Sequence, residues 1–194
     1  SPRWNLSFGP DMRHVQLDTQ YVSSVADSLM TSTFGRRYIF AALDQTEVSL
    51  VTRLNYTFTP DLTFELYLQP LVSNGAYGTP REFQAPSSYR FATYGTDIGS
   101  LTKAGNSYTI DPDGPGSASS FSLNDPSFTT RSLRGNAVLR WEYRPGSTMY
   151  FVWQQERRNP ERLENFRVGH ALGTLLDAES NNVLVLKWSY RFNP

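Results

Sequence analysis

The sequence predicts an all-β chain: an antiparallel segment of an outer-membrane β-barrel, with about six strands in three hairpins. Three observations predict it. Large apolar residues recur at every second position in several stretches of roughly ten residues, the period of a strand with one apolar and one polar face. Tight turns containing proline alternate with much longer connections, and the tight turns share one end of the strands. Aromatic residues gather beside those turns, where the interfacial girdle of a barrel sits.

Composition sets the outer limits. The 194 residues suffice for one domain, and 18 basic residues balance 18 acidic ones, which gives no reason to expect nucleic acid as a partner. The absence of cysteine removes disulfide and thiolate chemistry. No run approaches the roughly 18 apolar residues of a membrane helix. A negative mean hydropathy is still compatible with spanning strands, because lipid-facing and lumen-facing residues alternate. Ser1-Pro2-Arg3-Trp4 holds neither an initiator Met nor the apolar core of a signal peptide, so the chain reads as a processed or excised piece. Residues 1–194 are read as a single partial-barrel domain with long loops at about 23–46, 73–130 and 157–181.

Taken in order, Trp4, Leu6 and Phe8 alternate with Asn5 and Ser7. At Gly9-Pro10 a bend or bulge is expected, since proline cannot donate to a ladder. Val15, Leu17 and Thr19 resume the alternation, and 23–46 is mixed around a short Tyr38-Ile39-Phe40 run. Val48, Leu50, Thr52, Leu54, Tyr56 and Phe58 then face one way, against Ser49, Val51, Arg53, Asn55 and Thr57. Thr59-Pro60-Asp61-Leu62 is a tight turn, with proline pre-setting φ and Asp placed to bond the backbone. Phe64, Leu66 and Leu68 return against Glu65, Tyr67 and Gln69, with Pro70 near the strand's far end.

From 73 to 130 Gly, Ser, Pro, Asn and Asp dominate. So long a connection is uncommon in a compact soluble domain and ordinary for an extracellular barrel loop. Ala137, Leu139, Trp141 and Tyr143 then oppose Asn136, Val138, Arg140 and Glu142. Arg144-Pro145-Gly146-Ser147 is a second tight turn, and Met149, Phe151 and Trp153 return against Thr148, Tyr150, Val152 and Gln154. The charged loop at 157–181 has one or two helical turns expected over 170–176. The last strand sets Leu184, Leu186, Trp188, Tyr190 and Phe192 against Lys187, Ser189 and Arg191. Six strands are too few to close a barrel, whose smallest single-chain form has about eight. The chain is therefore expected to be the C-terminal part of a larger barrel, with pairing between copies as the other way to close it.

Several stretches carry a family resemblance. Gly35-Arg36-Arg37-Tyr38-Ile39-Phe40-Ala41, Leu43-Asp44-Gln45, the hairpin from Thr52 to Leu62, Leu66-Tyr67-Leu68-Gln69-Pro70, and above all Arg131 to Ser147 resemble the C-terminal region of a domain of unknown function in Gram-negative bacteria. Its members carry an upstream module similar to family-nine carbohydrate-binding modules. The resemblance implies an outer-membrane barrel joined to a sugar-binding module, with outer-membrane lipid as a partner and a carbohydrate, or that module, as another. The module's residues are not among these 194, so no carbohydrate site is placed on them.

Two faces follow as candidate sites. Arg53, Asn55, Glu65, Tyr67, Gln69, Arg140, Glu142, Tyr150, Gln154, Lys187 and Arg191 are expected to face the lumen, as a structural charge network or as a polar solute path. Trp4, Leu54, Tyr56, Phe58, Leu66, Leu139, Trp141, Tyr143, Phe151, Trp153, Trp188, Tyr190 and Phe192 are expected to face lipid or form the girdle. No cofactor is expected. His14 and His170 stand far apart in sequence with no nucleophile motif beside either. Glu161, Glu164 and Glu179 share a charged loop that fixes no separation between them. Asp111-Pro112-Asp113-Gly114 opens like a calcium loop but lacks the third oxygen ligand and the closing glutamate. The leading expectation is a non-catalytic outer-membrane segment that anchors or passes solute for a carbohydrate-handling protein. The alternatives are a soluble β-sandwich carbohydrate-binding module and a non-catalytic part of a glycoside hydrolase.

Overall fold

The computed structural model describes residues 3–159, 168–175 and 177–192. It is all-β. The strands are β1 (Trp4–Ala26), β2 (Arg36–Thr59), β3 (Leu62–Tyr77), β4 (Arg81–Phe83), β5 (Phe91–Thr93), β6 (Ser100–Ala104), β7 (Ser107–Asp111), β8 (Phe121–Asn124), β9 (Phe128–Arg144), β10 (Ser147–Asn159) and β11 (Ser180–Ser189). A short helix, α1 (Val168–Gly173), precedes β11. The larger sheet has the order β11-β10-β9-β3-β2-β4-β5 with β1 also on β2, and β6-β7-β8 form a second sheet. Among the described residues β11 pairs only with β10, and β1 only with β2, so the larger sheet is open and no barrel closes.

Contacts divide the chain into two compact units. Unit 1 holds 1–13, 46–74 and 128–194, and unit 2 holds 14–45 and 75–127. Unit 1 is an antiparallel meander of β1, β2, β3, β9, β10 and β11. Its tight turns lie at Pro60-Asp61 and Pro145-Gly146, where Gly146 takes a φ of 76° that suits its missing Cβ. The β9–β10 ladder runs from Asn159↔Arg131 to Thr148↔Glu142 and then shifts by one to Ser147↔Arg144. Tyr143 is the extra residue of this bulge, next to the turn.

Unit 2 packs a core of Ile39, Tyr94, Tyr108, Ile110 and Leu123, flanked by Val22, Ile98, Leu101 and Phe121. It overturns two expected loops. In place of a loop over 23–46, β1 continues to Ala26 and β2 starts at Arg36, leaving a short turn held by the Asp27 N–H bond to the Gly35 carbonyl at 2.9 Å. The period-two pattern was hidden by its first member: Arg37, Ile39, Ala41 and Leu43 are buried in alternation, and the first of them is a charge. Nor does Gly9-Pro10 break β1, because a strand paired on one side tolerates proline.

The stretch 73–130 is likewise built, with the end of β3, β4 through β8 and the start of β9. These strands are three to five residues long between glycines and prolines, too short to display a period. Among the described residues eleven strands thus stand where about six were expected; six of them have ten residues or more. In the third connection β10 reaches Asn159, α1 occupies Val168–Gly173 and β11 starts at Ser180. Glu161 and Glu164 lie outside the described residues. The last strand ends at Ser189, so Tyr190, Arg191 and Phe192 follow it.

Candidate functional site

Register settles which side chains of unit 1 share a face. Across β9, β10 and β11 the rows are Trp141↔Met149↔Trp188, Leu139↔Phe151↔Leu186 and Ala137↔Trp153↔Leu184. With Phe64 of β3 the second and third of these rows line an apolar hollow of about 380 Å³. Leu184, Leu186 and Trp188 are 79%, 63% and 64% exposed, and Trp4, Phe58, Trp141 and Phe151 are exposed as well. Leu54 and Tyr56 are half-buried.

Aromatic residues with polar tips bound this face. At the short-turn end Trp188 Nε1 donates to Tyr143 Oη at 2.6 Å, Tyr143 Oη donates to the Ser189 carbonyl at 3.3 Å, and Arg144 donates to Tyr190 Oη at 2.9 Å. The Tyr56–Phe58 and Tyr190–Phe192 rings pack edge to face, each at 4.6 Å. At the other limit Trp153 Nε1 donates to Asn182 Oδ1 at 3.1 Å, which also accepts from Gln155 at 2.9 Å. An aromatic ring with one wet tip suits a boundary between apolar and aqueous surroundings.

The opposite face collects the polar residues. Arg53, Asn55, Glu65 and Tyr67 line a cleft of about 180 Å³ with Asn136 and Val138; Leu66, expected on the lipid side, borders the same cleft. The Arg53 guanidinium lies 5.4 Å over the Tyr67 ring, and Tyr67 Oη donates to Gln69 at 2.8 Å. Arg140 donates to Glu142 at 2.9 Å. Arg140, Tyr150 and Lys187 form one cross-strand row, and Gln154 sits opposite Asn136 and Val183. Arg191 is the exception. It follows β11, and its side chain lies against the turn, where a Cβ on Gly146 would come within 2.5 Å of Arg191 Cδ. Between these two rows Val138, Val152 and Val185 form an apolar rung, so the face is not polar throughout.

Sequence reasoning missed the charged centre of unit 2. Arg37 Nε donates to Asp27 at 2.7 Å, Arg37 Nη1 donates to Glu82 at 2.7 Å, and Tyr94 Oη donates to the same Glu82 oxygen at 2.7 Å. The side chains of Arg37, Asp27 and Glu82 are 8%, 12% and 11% exposed. A cleft of about 260 Å³ beside them is lined by Asp27, Leu29, Arg37, Phe121 and the 117–119 loop. The backbone N–H of Leu29 holds the Asp27 carboxyl below its ordinary range, and Arg37 adds to this against the opposing effect of burial. Burial pushes the Tyr94 phenol up, helped by Glu82. No local motif could have found this centre, because Arg37 and Glu82 stand 45 residues apart.

A pH dependence follows from the two shifts. Asp27, with its folded pKa depressed, contributes stability that is present above about pH 4 and is lost as pH falls below the ordinary carboxylate range. Tyr94, with its folded pKa raised, contributes stability that is full below about pH 10 and is lost as pH rises above it. Urea midpoints of unit 2, followed by amide exchange, are expected to fall at both extremes and stay flat between them. A flat profile through pH 3 would remove Asp27 from this account.

Asp111 Oδ1 accepts the Gly114 N–H at 2.9 Å and Asp113 Oδ2 accepts the Ala118 N–H at 3.0 Å, so both carboxylates cap backbone of their own loop. His14 Nδ1 lies 3.6 Å from Asp44, which also accepts from Gln16 at 3.1 Å. His170 is exposed on α1 and Glu179 is exposed just before β11. Comparison with family models, with curated proteins and with solved structures finds no match to this chain.

Proposed function

We propose that unit 1 is a section of the wall of a bacterial outer-membrane β-barrel, non-catalytic, which anchors or passes solute for a carbohydrate-handling protein. The observation that carries this reading is the face of three registered apolar rows left uncovered in a folded sheet. Soluble monomers rarely expose contiguous apolar patches larger than a few hundred Å². In a bilayer the same face is the favourable one, and paired strands leave few backbone groups unsatisfied.

Strand length agrees with the reading. A tilted crossing takes roughly 9–11 residues, and β11 has 10. The apolar rows end in the Trp188–Tyr143 bond at one limit and the Trp153–Asn182 bond at the other. With 23 and 24 residues, β1 and β2 exceed one crossing. Their crossing portions are those in unit 1, and unit 2, with its own buried core and charged centre, belongs in water. The carbohydrate part of the proposal rests on the sequence resemblance and on a lumen face rich in arginine, tyrosine and glutamine.

Lipid contact tests it. A polarity-sensitive dye on Leu139→Cys is expected to be quenched several-fold more by brominated lipid chains than the same dye on Arg140→Cys, in folded protein reconstituted into bilayers. Equal lack of quenching at both positions would sink the barrel reading.

A further inference from the structure

We infer that the cleft beside the charged centre of unit 2 binds a small organic cation, a primary ammonium on a short alkyl chain. The inference concerns unit 2 alone and stands apart from the barrel reading. The residues that line the cleft, 25–29, Arg37, 117–119 and Phe121, all belong to unit 2.

Charge selects the sign of the ligand. The centre holds two carboxylates, Asp27 and Glu82, and one guanidinium, Arg37, which spends Nε on the first and Nη1 on the second. One negative charge is left over among side chains that are nearly buried, and a buried charge without compensation is costly. A third carboxylate stands at the lip, where Asp113 accepts the Ala118 N–H at 3.0 Å. Among the described residues Asp113 meets no basic side chain. Arg36, the residue before Arg37 in β2, is exposed and donates to Ser24 at 2.8 Å, so it does not neutralise the centre. An entering anion would meet Asp27 and find Arg37 already engaged twice. An entering cation gains from the carboxylates in a partly dehydrated site, where Coulomb attraction exceeds its value in bulk water.

Shape and acceptors select the kind of cation. Among the described residues Asp27 Oδ1 accepts the Leu29 N–H and Oδ2 accepts Arg37 Nε, which leaves part of the roughly four acceptor sites of a carboxylate unused. The hydroxyls of Ser28, Ser117 and Ser119 in the cleft wall add further acceptors. The three donors of a primary ammonium match such a set. Leu29 offers an alkyl chain an apolar wall, and Phe121 offers a ring face or edge beside it, of which the face attracts a cation. A metal ion fits less well, because among the described residues no three acidic or histidine side chains gather as ligands. The Asp27 carboxylate is also held in place beforehand: its own backbone N–H bonds the Gly35 carbonyl at 2.9 Å and its carbonyl accepts the Met30 N–H at 3.0 Å. Little ordering is then left for the ligand to impose.

The test titrates n-butylammonium chloride into the full chain, folded in non-ionic detergent micelles at neutral pH, and follows the amide NMR signals of Leu29 and Ala118. Saturable shifts at both are expected. Butanol, of similar shape without the charge, and butyrate, with the opposite charge, are expected to bind about tenfold more weakly or worse. Asp27→Asn is expected to weaken butylammonium binding by about tenfold. Because that change also loosens Arg37, Ala118→Phe is run beside it, filling the cleft from its lip while the ion pairs stay in place, and is expected to abolish the saturable shifts. Butanol binding as tightly as butylammonium, shifts that persist in Ala118→Phe, or no saturable shift in the unaltered chain would each overturn the inference. None of these results bears on the lipid contact of unit 1.

Discussion

Glu82→Ala is expected to destabilise unit 2 by about 3–5 kcal/mol, the loss typical when one partner of a buried ion pair is removed. The size follows from what the carboxylate leaves behind. Among the described residues Arg37 keeps Asp27 as its anionic partner, and the Tyr94 hydroxyl, on a residue 1% exposed, loses its acceptor. The Tyr94 hydroxyl cannot turn to water without opening the core of Ile39, Tyr94 and Ile110. Glu82→Gln retains an oxygen for Tyr94 and is expected to lose less, about 1–3 kcal/mol. Amide exchange resolves the site: protection at Ile39 and Ile110 should drop by roughly two to three and a half orders of magnitude in Glu82→Ala, since about 1.4 kcal/mol is tenfold. Unchanged protection at these two amides would show that the charged centre does not hold unit 2.

What the sequence displayed and what it hid divide along the length of the pattern. The β9–β10 hairpin was legible because Ala137, Leu139 and Trp141 alternate with polar residues and Pro145-Gly146 marks the turn. The β2–β3 hairpin was legible for the same reasons around Pro60. Both faces of unit 1 could be listed from parity alone, since a strand has only two. Parity failed where the ladder has ended, at Arg191 beyond the end of β11. It also failed in unit 2, where the buried alternation opens with Arg37 and a charge at a core position reads as surface. The strands β4 to β8 have only three to five residues each, and Arg37 meets Glu82 only through the pairing of β2 with β4 at Ile39↔Glu82. Long-range pairing of that kind leaves no local trace.

Leu186→Arg is expected to destabilise the bilayer-embedded protein by about 2–4 kcal/mol, and Trp188→Arg, at the girdle, by only about 0–1 kcal/mol for the charge itself. Leu186 is the better reporter than Leu139 because it is 63% exposed in the folded chain. In water an exposed leucine far from any special feature can become arginine within about ±0.5 kcal/mol. A guanidinium in hydrocarbon, by contrast, keeps its charge and must drag water or head groups inward to stay solvated. Leu139, flanked by Trp153, Phe151 and Leu186 in the apolar hollow, would lose stability under either reading and so cannot separate them. Reversible urea unfolding from lipid vesicles supplies the measurement, with Lys187→Arg on the opposite face as a control expected to be nearly neutral. A loss below about 0.5 kcal/mol at Leu186, with the control unchanged, would place that side chain in water and remove the lipid from its surroundings.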